Sequence, residues 1–95
     1  MRRSPPWWKL ADDRILEYLR DHEAAGPTEI ANSDSIHFSQ PWVSRRLTLL
    51  KESGFVRVIA QGTYVITERG EGYLAEEFDA SHVEEPQGNS GKATA

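Results

Sequence analysis

The stretch SQPWVSRRLTLLKESGFV, residues 39–56, leaves its own local structure few options. Ser39 is a good N-cap, because its hydroxyl can accept from a first-turn amide that has no partner inside a helix, and Pro41 sits where a missing amide hydrogen does no harm. Val43, Leu47 and Leu50 recur at spacings of four and three, which brings them onto one helical face. Gly54, just past the last apolar turn, can take the left-handed conformation that ends a helix, and Phe55 and Val56 open a β-type run. At about 100° per residue, the side away from the apolar stripe carries Pro41, Ser44, Arg45 and Thr48, flanked by Gln40, Trp42 and Arg46. Hydroxyls, an amide and guanidinium groups on one face suit phosphates and base edges.

The rest of the chain must form a small core around this helix without covalent help. It has 95 residues and no cysteine, so neither disulfides nor thiolate metal sites contribute. His22, His37 and His82 lack ligand spacing, and no metal or other cofactor is expected. With 38% hydrophobic residues and no long apolar run, a membrane partner is not expected either, and the reading is a soluble cytoplasmic protein. The net charge of −4 is unevenly spread. Acids and bases balance up to Ala75, whereas Glu76, Glu77, Asp79, Glu84 and Glu85 face only Lys92 beyond it. A neutral body argues against strong non-specific binding to nucleic acid and leaves room for a local basic patch.

Residues 1–9 read as an extended N-terminal arm, with Ser4-Pro5-Pro6 followed by Trp7-Trp8, two indoles that something should cover. Packing back on the domain is the simpler reading, and a dimer interface the other. From about Leu10 to Glu23, Ala11, Ile15, Leu16, Tyr18 and Leu19 give helical spacing, with Asp12 and Asp13 in the first turn, where the helix dipole favours anions. Pro27 starts a short second helix after Gly26; Ile36 and Phe38 plug the connection to the third. Two β-branched and aromatic runs, residues 55–60 and 63–66, flank Gln61-Gly62 as a hairpin. Thr67 caps a last helix whose Gly70 and Gly72 permit close backbone approach, with Tyr73, Leu74 and Phe78 closing over the core. Residues 79–95 contain Val83 as their only large aliphatic residue and read as a disordered acidic tail whose removal leaves stability intact.

The runs Pro27-Thr28-Glu29-Ile30-Ala31, Val43-Ser44-Arg45-Arg46-Leu47-Thr48-Leu49-Leu50, Glu52-Ser53-Gly54-Phe55-Val56 and residues 64–74 stand in the order and at the separations of a winged helix-turn-helix domain. They resemble MarR-like and ArsR-like regulators. Pro6-Trp7-Trp8 with residues 11–19 is similar to small phage-repressor-like proteins of halophilic archaea. The resemblance implies an α+β, mainly α, winged helix-turn-helix fold over residues 10–78, with three helices, a two-stranded β-hairpin wing and a C-terminal helix.

It also implies that the third helix, residues 39–53, enters the major groove of double-stranded DNA and that the chain is a sequence-specific transcriptional regulator, expected to repress by occlusion. Carried over residue by residue, the contacts fall on Ser39, Gln40, Trp42, Ser44, Arg45, Arg46 and Thr48, with Arg57 on the wing strand. Arg45 suits guanine and Gln40 adenine, while Ser39, Ser44 and Arg46 suit phosphates. The wing departs from the family, since its tip offers Gln61, Gly62 and Thr63 without a cation. One helix reading one half-site would bind weakly, so a homodimer on a pseudo-symmetric operator is expected. Eight arginines against three lysines, with many acids, fit a high-salt interior. The competing reading is a winged helix that docks protein rather than DNA; exposed cations favour the first, and paired cations beside an apolar patch the second. No small-molecule ligand is identifiable, and no nucleophile–base set points to an enzyme.

Overall fold

The computed structural model describes residues 2–34 and 36–86. Four helices and a hairpin follow one another as α1 (Leu10–His22), α2 (Pro27–Ala31), α3 (Gln40–Glu52), β1 (Val56–Ala60), β2 (Thr63–Ile66) and α4 (Glu68–Leu74). This is the mainly helical winged helix-turn-helix architecture expected from the sequence. The caps act where the residue types indicated: Ser39 Oγ accepts from Trp42 N–H at 3.3 Å, and Thr67 Oγ1 accepts from Gly70 N–H at 3.2 Å. The Thr67 hydroxyl also donates to Gly54 O at 2.7 Å, joining the start of α4 to the end of α3. Gly54 stands at φ 90°, a value that only glycine reaches without strain.

β1 and β2 pair antiparallel, Val56 opposite Ile66 and Val58 opposite Tyr64, with Ile59 bulged out before Ala60 meets Thr63. On the far side of β2, Ala25 and Tyr64 exchange two backbone hydrogen bonds of 3.1 and 2.9 Å. This one-residue bridge ties the turn end of the wing to the α1–α2 connection.

The core lies between α1, α3 and α4. Ala11, Ile15, Leu16 and Leu19 from α1, Ile30 from α2, Val43, Leu47 and Leu50 from α3, then Phe55, Val56, Tyr73 and Leu74 are all buried. Trp8 sits among them, its ring 5.1 Å from Phe55 and 4.9 Å from Tyr73, so this indole packs back on the domain. Gly70 permits the close approach anticipated in α4: a Cβ there would lie 2.5 Å from Phe55 O. Phe78 does not close over the core as expected. It stays 37% exposed at the edge, beside Gly72.

The chain beyond Phe78 differs more from its sequence reading. Residues 79–86 are not a disordered tail; they turn back along the N-terminal arm. Ala80 is fully buried and its N–H donates to Arg3 O at 3.0 Å, while Trp7 Nε1 donates to Val83 O at 2.9 Å. The remainder of the expected tail, residues 87–95, lies outside the described residues.

At the end of α1, Glu23 holds φ 69° and ψ −56°, with Ala24 N–H donating to His22 O at 2.7 Å. That is a tight three-residue turn in a backbone region which side chains avoid. Glu23→Gly is expected to raise stability by about 1 kcal/mol, the relieved strain exceeding the extra entropy of the unfolded glycine chain. Urea unfolding would check it, and an unchanged or lower midpoint would contradict it.

Candidate nucleic-acid interface

Because Val43, Leu47 and Leu50 face the core, α3 presents its opposite side outward. Gln40, Pro41, Arg45 and Thr48 are exposed there, Ser44 is half-buried, and Ser39 is exposed at the N-terminal end while capping the helix. The Thr48 hydroxyl is turned onto its own helix, donating to Ser44 O at 3.2 Å. Among the described residues, Arg45 makes no ion pair, whereas Arg2, Arg14, Arg20 and Arg46 each meet a carboxylate. Lys51 at the end of α3 and Arg57 on β1 are likewise exposed and without an ion pair among the described residues.

Arg46 corrects the sequence reading. It was expected at the edge of the outward face, in position to meet a phosphate, yet its side chain is only 5% exposed and turned inward. Nε donates to Asp12 Oδ1 at 2.8 Å, one terminal nitrogen donates to Asp12 Oδ2 at 2.7 Å, and the same nitrogen reaches Trp7 O at 3.2 Å. The guanidinium carbon lies 5.9 Å from the Trp7 ring and 5.4 Å from that of Trp42. Trp42 is accordingly half-buried, partly core and partly rim. A helical wheel held the hint: three residues from Val43, Arg46 sits only about 60° from the centre of the apolar stripe.

The aspartates at the start of α1 take roles that helix-dipole reasoning does not reach. Asp12 is fully buried and also accepts from Lys9 N–H at 2.8 Å, so its carboxylate meets three donors. Asp13 Oδ1 accepts from Trp8 Nε1 at 2.9 Å and from the Tyr73 hydroxyl at 2.7 Å. Burial, with the bond to Asp13, pushes the Tyr73 hydroxyl well above the usual phenol range. The adjacent tryptophans were the available signal, since a buried indole needs an acceptor for its N–H. On the outer face of α1, burial works to raise the Glu17 carboxyl, but hydrogen bonds from Arg2 and Arg14 outweigh it and hold the group below its ordinary value.

The wing carries no cation at its tip, where Gln61 and Gly62 are exposed. Val58 and Ile59 on β1 are 38% and 51% exposed. Away from α3, a cavity of about 520 Å³ is lined by Arg20, Glu68, Glu71, Gly72, Ala75 and Glu77, and it shares no residue with the outward face. No group of histidines and carboxylates among the described residues could hold a metal ion, and no helix there is long and apolar enough to cross a membrane.

Comparison with known proteins agrees with the fold. A family described as winged helix-turn-helix phage repressor matches residues 1–86. Among solved structures, the chain is similar to the crystal structure of the PhiH1 repressor-like protein from Haloarcula marismortui. The two are 41% identical, with a TM-score of 0.83 over 90% of this chain and 97% of that one. A search of curated proteins gave no match.

Proposed function

The chain belongs to the winged helix-turn-helix phage repressor family, and from that premise we propose that it is a sequence-specific double-stranded DNA-binding transcriptional regulator that represses by occluding its operator. The observation that carries the proposal is Arg45, exposed and without an ion pair among the described residues, on the outward face of a capped thirteen-residue helix. A guanidinium so placed can donate to both major-groove acceptors of guanine, and Gln40 at the first position of the helix can pair with adenine. Ser39 and Ser44 supply hydroxyls for phosphates along the same face, Thr48 lies beside them, and Trp42 lines the rim. Arg57 reaches backbone from the wing strand. Arg46 is left out of the contact set. Two copies on a pseudo-symmetric site would supply the second half of the contacts, and an interior rich in salt suits a protein that relies on arginine geometry more than on net charge.

Arg45→Ala is expected to weaken binding by about 1–3 kcal/mol on a duplex selected by the wild-type chain, and to relax the base preference at one position. Fluorescence anisotropy would measure it, and equal affinity of the two proteins would reject the role of Arg45. The exposed Val58 and Ile59 favour one competing reading, a winged helix that docks another protein. Absence of any selected duplex across a range of salt concentrations would favour that reading instead.

A further inference from the structure

Arg46 stands next to Arg45 in sequence, yet its side chain turns inward where that of Arg45 meets solvent. A buried ion pair is seldom more stabilising than apolar residues of the same volume, because desolvation offsets the attraction. What it adds over an apolar contact is direction. Val43, Leu47 and Leu50 would still be covered if α3 rolled slightly about its axis, since dispersion contacts vary slowly with angle. The Arg46 fork cannot roll. Its two bonds to Asp12 fix it in plane, the Trp7 carbonyl takes a third, and the indoles of Trp7 and Trp42 stand within 6 Å of its central carbon. Asp12 is immobilised in turn by the Lys9 amide and by complete burial.

We propose that the Asp12–Arg46 pair, with the Trp7 carbonyl, sets the roll of α3 and thereby the aim of Arg45. Asp12 and Arg46 are positioning residues for base reading and touch no DNA. The inference rests on the DNA-binding reading above and adds to it residues that a contact map of the interface would omit.

The test replaces the pair by apolar residues of similar volume, Asp12→Leu with Arg46→Met, in the full chain. Two probes are used: the tightest 30-base-pair duplex that the wild-type chain selects from random sequence, and a scrambled duplex of equal composition. The double variant is expected to fold, to bind the scrambled duplex within about twofold of wild type, and to lose about tenfold in the ratio of selected to scrambled affinity, comparable to one bidentate base contact. An unchanged ratio in the folded variant overturns the proposal, because a merely structural pair would not move it. If the double variant does not fold, Arg46→Lys decides by the same ratio, measured well below its melting temperature. It keeps the charge and removes the fork. Failure of the underlying reading looks different: no duplex is selected, or Arg45→Ala binds as wild type does. A loss in Arg45→Ala with an unchanged ratio in the pair variants rejects this inference alone.

Discussion

Asp12→Ala is expected to destabilise the domain by about 3–5 kcal/mol, the usual effect of stranding one partner of a buried ion pair. The loss is large because Arg46 has nowhere else to go. Its side chain is 5% exposed, and among the described residues the Trp7 carbonyl is the one hydrogen-bond acceptor that would remain to it. Small domains have about 5–15 kcal/mol in total, so the variant should be partly unfolded near physiological temperature. Thermal or urea unfolding followed by circular dichroism reads this directly. Glu17→Ala is the comparison: that carboxylate pairs with Arg2 and Arg14 while 26% exposed, and its removal should change stability by no more than about 1 kcal/mol. Equal effects of the two substitutions would mean that the buried pair has no special hold on the fold.

Deleting residues 79–95 is expected to lower stability by about 3 kcal/mol. Two hydrogen bonds are lost, Ala80 to Arg3 and Trp7 to Val83, at roughly 1 kcal/mol each. The apolar surface that Ala80, Val83 and the Trp7 ring now cover adds about 1–2 kcal/mol. A melting temperature unchanged by the deletion would show that residues 79–86 contribute nothing. A second deletion, of residues 87–95 alone, separates the described segment from the rest. Tryptophan emission should shift to the red in the longer deletion, since the indole of Trp7 gains water.

The parts of the fold that could be read from sequence are those decided within a few residues. Ser39, Pro41, the Val43–Leu47–Leu50 stripe and Gly54 fix a helix and its end by local sterics and hydrogen bonding. The β-branched runs around Gln61 and Gly62 fix a hairpin in the same way. What could not be read depends on partners far along the chain. Arg46 was placed by its angle on the helix, but its direction was settled by Asp12, thirty-four residues earlier. Residues 79–86 were judged by composition, which counts large apolar side chains. The segment is held instead by one alanine, one valine and backbone groups, too little apolar side chain for composition to weigh. For the candidate interface, periodicity sufficed to turn Arg45 and Gln40 outward. Periodicity sets Arg46 at the edge of the apolar stripe, and neither it nor composition names the carboxylate that turns the side chain inward.

The contacts between the arm and residues 79–86 also bear on the order in which the protein comes together. Trp7 and Val83 are seventy-six positions apart, so their meeting closes a loop of nearly the whole described chain. The helices around Phe55 meet over shorter separations and can collapse before that loop closes, so the arm must wait for residues 79–86. The arm is therefore among the last of the described segments to settle. Until it does, the Trp7 carbonyl is not yet fixed where the Arg46 fork will meet it.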